Sequence, residues 1–119
     1  MTHPIHSCLS IDRAMEYVGD MQGVLTLLET LQQSLQDDLP QIRALLDASD
    51  LPGANRLLHQ FKGFAPVFCV PSLVERIVQV EALSKQPGQL AAVREAYANL
   101  GPQLHALLQE VQGQLQASP

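Results

Sequence analysis

The chain has 119 residues and a net charge of −5, with 46% hydrophobic and only 4% aromatic residues. That length suffices for one domain with a single core. The acidic balance argues against a nucleic-acid partner, which asks for a basic face, and no polybasic cluster is offered to an anionic membrane.

Residues 1–9, with His3, Pro4 and His6, lack periodicity and read as a flexible N-terminal arm. No basic-then-apolar leader marks a signal peptide, and no run approaches the roughly 20 apolar residues of a membrane span. Leucine and glutamine dominate and β-branched residues are sparse, which favours helix over sheet. Ser10 is placed to cap a short helix from Ile11 to Val18, with Gly19 as its stop and Asp20 as the cap of the next helix.

The second helix is the clearest periodic segment. Val24, Leu28, Leu31, Leu35, Leu39, Ile42 and Leu46 recur at three- and four-residue spacing, a core stripe for packing helix on helix. Pro40 removes one backbone donor, yet the stripe keeps its phase across it, so a kink near 36–40 is expected rather than two helices. Ser49 or Asp50 caps the third helix, with Pro52 in its first turn. Pro66 should distort that helix's last turns. Pro71 opens the fourth helix and requires an extended Val70 before it. The fourth helix runs to about Lys85, and Gln86-Pro87-Gly88 closes it.

The last helix carries Leu90, Val93, Tyr97, Leu100, Leu104, Leu107, Val111 and Leu115. The phase again survives an internal proline, Pro102. Four long helices with short connections predict an all-α, antiparallel (up-down) four-helix bundle over residues 10–116, with the short first helix covering one end. Cys8 and Cys69 are too few for a disulfide framework, so a reducing cytoplasm is the simpler expectation.

The third helix contains His59-Gln60-Phe61-Lys62-Gly63. Positions three and four apart are neighbours on a helix surface, so His59, Lys62 and Gly63 sit together. Leu57, Leu58, Phe61, Phe64 and Phe68 fall mostly on the other side. A glycine inside a helix costs about 1 kcal/mol relative to alanine. Its compensation here would be the close approach of another protein. An imidazole, an ammonium group one turn on and a missing side chain together suggest a site for a transferable anion.

This stretch resembles the phosphoacceptor helix of histidine-containing phosphotransfer (HPt) domains, whose pattern is His-x-x-Lys-Gly. The segment from Ile11 to Asp20 is similar to that family's first helix and turn. The segment from Leu73 to Leu83 resembles the following helix, with Glu81 near the place of an acidic residue. The resemblance covers roughly residues 10–115. It implies that His59 accepts a phosphoryl group from a receiver-domain aspartate and passes it to another receiver aspartate in two-component signalling. Lys62 would support the phosphate, and Gly63, with Gln60 and Arg56, would meet the docking receiver. Gln60 faces either the receiver or water; Arg56 either adds positive potential or pairs with an acid of the second helix. For Gly63 the alternative is a close helix–helix contact.

The implied partners are response-regulator receiver domains and a hybrid sensor histidine kinase, with no nucleic acid and no membrane. The receiver supplies an acidic pocket and Mg²⁺, so neither a metal site nor any other cofactor is expected in this chain. No ATP-binding segment is present, so the chain is expected to carry phosphate rather than act as a kinase. It reads as a monomer, although leucine stripes serve an intramolecular bundle and a dimer equally well. A docking patch is expected around Met15, Val18 and Gln22.

Three residues depart from the family pattern: Phe64, where a small residue is common, Pro66, and Cys69 in place of glycine. They leave open a second reading, a phosphotransfer-inactive HPt-like module that binds and titrates a kinase or receiver. A third reading, an unrelated bundle, would be marked by a buried His59. His105 is expected to be a solvated or core-edge residue, and His3, His6 and Cys8 at most casual metal donors.

Overall fold

The computed structural model describes residues 7–117. They form five helices: α1 (Ile11–Val18), α2 (Met21–Asp47), α3 (Leu51–Phe68), α4 (Pro71–Ser84) and α5 (Leu90–Ala117). Among the described residues there is no strand, only an isolated antiparallel bridge between Leu9 and Cys69. In the bundle, α2 packs against α3 and α5, α4 packs against the same two helices, and α1 lies on α2 and α3.

Local chemistry sets the boundaries. The Ser10 hydroxyl accepts the Arg13 N–H at the start of α1, and Gly19 ends that helix with a left-handed φ of 96°. Asp20 and Asp50 accept the N–H groups of Gly23 and Gly53 at 2.7 and 3.0 Å, capping α2 and α3. Such caps are each worth about 1 kcal/mol. Val70 is extended before Pro71, as the proline demands. The end of α2 is closed by Arg94 on α5, whose guanidinium donates to the carbonyl oxygen of Leu46 at 2.7 and 2.9 Å.

The apolar stripe read from the sequence of α2 is its buried face, residue for residue. The inner six positions of the α5 stripe, Val93 through Val111, are buried as well. Pro40, Pro66 and Pro102 all lie inside continuous helices. An internal proline costs about 3 kcal/mol, whereas each buried valine, leucine or isoleucine contributes roughly 1.5–3 kcal/mol. Seven such side chains on α2 outweigh the loss of one backbone bond.

Residues 7–9 of the expected arm lie against the bundle. Cys8 and Leu9 are buried. The Val70 N–H donates to the Cys8 carbonyl at 2.9 Å and the Ser10 N–H to the Phe68 carbonyl at 2.7 Å. One carboxylate oxygen of Glu110 accepts the N–H groups of both Cys8 and Leu9, each at 3.0 Å, and the other accepts the Ser7 hydroxyl. The segment between Pro4 and Ser10 carries too few apolar residues for periodicity to reveal an anchor made by backbone pairing. Residues 1–6 of that arm, with His3 and His6, lie outside the described residues. Both cysteines are free thiols.

Candidate functional site

The face of α3 opposite its apolar stripe meets α4 along a polar seam. Leu58, Phe61, Ala65 and Phe68 are buried on one side, while Arg56, His59, Gln60 and Gly63 are exposed on the other. The His59 side chain is 66% exposed, which removes the reading as a buried core histidine. Lys62, one turn on, is 37% exposed.

At Gly63 an added Cβ would meet nothing within 4 Å, so no helix–helix contact requires the glycine. The space beside His59 is open. Phe64 is half-buried against the core, its ring centroid 5.2 Å from that of Phe61, at the border of the exposed face, four residues after Gln60. Arg56 is exposed, and of its alternatives the pair with an acid on α2 does not occur among the described residues. His105 on α5 is exposed, as expected of a solvated histidine.

The centre of the seam is Glu81 on α4. Its side chain is fully buried, in a row with Leu73 and Ile77 at four-residue spacing. Its Oε1 lies 3.1 Å from His59 Nδ1, 3.1 Å from Lys85 Nζ and 3.6 Å from Lys62 Nζ. Its Oε2 is buried with no hydrogen-bond partner. A buried carboxylate stays ionised only when charge and hydrogen bonds repay the loss of water. Burial here pushes the Glu81 pKa up. The hydrogen bonds from His59 and Lys85 and the charges of Lys62 and Lys85 outweigh it, and the net shift is downward.

An ionised carboxylate can only accept. The bond to His59 is therefore donated by Nδ1–H, and in the neutral ring the lone pair sits on Nε2. The acceptor-only partner, rather than a hydrogen position, makes this assignment. Asn55, one turn before His59, extends the seam: its amide donates to Ser84 Oγ at 2.8 Å, and Ser84 donates to the Glu81 carbonyl at 2.6 Å. These bonds tie α3 to α4 beside the imidazole.

The family model of the Hpt domain matches residues 26–114. The chain belongs to the Hpt domain family. No curated protein and no solved structure matches it. Hpt domains carry out histidine phosphotransfer in phosphorelay signalling, and they interact with receiver domains and histidine kinases. The matched span contains α3, α4 and the whole seam between them.

Of the residues singled out from the sequence, His59, Lys62 and Gly63 share the exposed face of this Hpt domain, with Arg56 one turn upstream and Gln60 alongside. Two members of the cluster were not given roles by sequence reasoning. Glu81 was noted only by its place. The signal for it was an acid standing where the apolar spacing of α4 calls for a core residue. For Lys85 the sequence reading gives only a helix end. Its signal was that it is one of two lysines in the chain, four residues after that acid.

Proposed function

We propose that this Hpt domain is a phosphorelay intermediate with His59 as phosphoacceptor. The observation that carries the reading is the exposed imidazole whose Nδ1 is engaged by buried Glu81, leaving Nε2 turned away from that bond. Phosphoryl transfer draws on positioning and charge stabilisation more than on covalent chemistry by the protein, and this seam offers both.

The Nε2 lone pair attacks the phosphorus of a receiver's aspartyl phosphate. An N–P bond forms as the O–P bond to the aspartate breaks, and the carboxylate leaves. With both nitrogens substituted the ring becomes cationic. The Glu81 carboxylate, already bonded to Nδ1–H, stabilises that charge, as the aspartate of a Ser-His-Asp triad does for its histidine. Return of the phosphoryl group to a second receiver aspartate reverses these steps. Lys62 holds phosphate oxygens as a compact cation. Gly63 leaves room for the receiver, and Gln60 and Arg56 border its footprint. The acidic pocket and Mg²⁺ are assigned to the receiver.

The same reading treats residues 10–116 as one domain with its four long helices in antiparallel, up-down order. Connections of two to five residues, at 19–20, 48–50, 69–70 and 85–89, support that order. The docking face includes the Met15, Val18 and Gln22 patch, because α1 packs against α3. Transient docking of this kind needs only a small surface. The chain works as a monomer in the cytoplasm and has no kinase activity of its own.

The test is transfer from a panel of phosphorylated receiver domains to the wild type and to His59→Gln. The reading expects acid-labile, alkali-stable label on the wild type and none on the variant. Label retained by His59→Gln would overturn it. Receivers that bind the chain without labelling it would point to the interaction-module reading instead.

A further inference from the structure

Three donors crowd one oxygen of Glu81, and two of them are the only lysines in the chain. The two lysines are not equivalent. Lys62 stands on the helix of His59, one turn on, at the longer distance of 3.6 Å from Glu81 Oε1; in the phosphoacceptor reading it is the lysine that turns to the phosphoryl group. Lys85 caps the C-terminal end of the helix of Glu81 at i+4, the favourable order for a Glu–Lys pair, at 3.1 Å. Its contact depends on no receiver and no phosphate. When Lys62 turns to the phosphoryl oxygens, Lys85 is the cation left to Glu81.

We infer that Lys85 is a positioning residue for phosphotransfer: by pairing with Glu81 it keeps the carboxylate ionised and aimed at His59 Nδ1, and so keeps the imidazole in the tautomer that presents Nε2. This rests on the reading of His59 as the phosphoacceptor. A buried carboxylate that loses a cation is destabilised in its charged form. A protonated Glu81 carries a hydrogen to donate and no longer requires Nδ1 to be the donor. The ring then redistributes its proton between the two nitrogens, and the fraction with a free Nε2 falls. The side chain of Lys85 is half exposed, so its leverage is that of a partly screened pair.

The sequence motif stops at Gly63 and contains neither partner. A direct role for Lys85 on the phosphate is the competing account, and it predicts something different. If Lys85 gripped the phosphoryl group, its removal would slow transfer whether or not Glu81 were charged. If it acts through Glu81, its removal has no further effect once Glu81 is neutral.

The experiment uses the full chain with ¹⁵N-labelled histidine. The His59 ring nitrogens are read by NMR in the wild type, Lys85→Gln and Lys85→Arg, before any phosphate is added. Transfer rates from one phosphorylated receiver are then measured in these and in Glu81→Gln with and without Lys85→Gln. Lys85→Gln should shift the His59 nitrogens away from the Nδ1–H tautomer and slow transfer about threefold, the scale of a half-exposed pair. Lys85→Arg should restore both, and Lys85→Gln should add nothing to Glu81→Gln.

Wild-type nitrogen shifts in Lys85→Gln would overturn the inference, as would a full additional loss of rate in the Glu81→Gln background. Should Glu81→Gln fail to fold, the tautomer signal of the single Lys85 variant still decides. Because that signal is read without phosphate, failure of His59 to accept phosphate would be seen separately.

Discussion

Glu81 Oε1 lies 3.1 Å from His59 Nδ1, so a fully buried acid of α4 holds an exposed imidazole of α3 from below. The bond crosses between helices, which makes the orientation of the ring a property of the packed bundle rather than of α3 alone. The acid also draws both lysines of the chain to the same edge of the seam. A protein with a net charge of −5 thereby presents a local cationic rim around one histidine.

The Glu81 carboxyl is held below its ordinary value in the folded chain: burial opposes ionisation, but the bonds and charges of His59, Lys85 and Lys62 prevail. A depressed carboxyl contributes stability that is present above its unfolded pKa and lost as pH falls through the folded one. Thermal melts between pH 7 and pH 3 should show this contribution disappearing from the ordinary glutamate value downward. Glu81→Gln, with nothing to protonate there, should lose less over the same window. Parallel pH profiles for the two proteins would contradict the assignment.

Gly63 separates stability from function. Beyond its chain neighbours and the backbone of its own helix, nothing lies within 4 Å of an added Cβ, and the residue is inside α3. Gly63→Ala should therefore stabilise the chain by about 0.5–1 kcal/mol, read as a higher urea midpoint with an unchanged slope. A larger side chain at the same place, Gly63→Leu, should leave the fold intact but slow transfer from a receiver by obstructing its approach. A destabilised Gly63→Ala would show that the helix needs the glycine for itself.

The fold was legible to the degree that it rests on apolar spacing. The stripes of α2 and α5 name buried residues because helix–helix packing is the force that made them periodic, and the caps Ser10 and Asp20 could be read because each satisfies an orphan N–H, while for α3 the sequence leaves Ser49 or Asp50 and the structure selects Asp50. The anchor of residues 7–9 was not legible. It is made by backbone pairing with residues 68–70 and by Glu110, more than 100 residues away in sequence, and such bonds leave no pattern in side-chain identity. At the site, His59, Lys62 and Gly63 follow from spacing on one helix. Glu81 and Lys85 belong to another, and only the packing of α3 on α4 shows that their charges meet the histidine.

The cysteines give a test of that packing. Burial pushes the Cys69 thiol up to about 12, with Cys8 adding to the shift, and Cys8 is raised as well, chiefly by burial. Thiolate is the reactive form. The native chain at pH 8 should react with a thiol reagent far more slowly than a free cysteine, and both thiols should become available on unfolding in urea. Rapid reaction of one thiol in the folded chain would mean that residues 7–9 do not stay seated against α3 and α5.

The most direct test of the central claim is to find the atom that carries the phosphoryl group. The chain is phosphorylated by a receiver domain and examined by ³¹P and ¹⁵N NMR with labelled histidine. The account predicts one phosphorus signal, coupled to Nε2 of His59, with Nδ1 still protonated and bonded to Glu81. A phosphoryl group on Nδ1 of His59, or on another histidine such as His105, would contradict it.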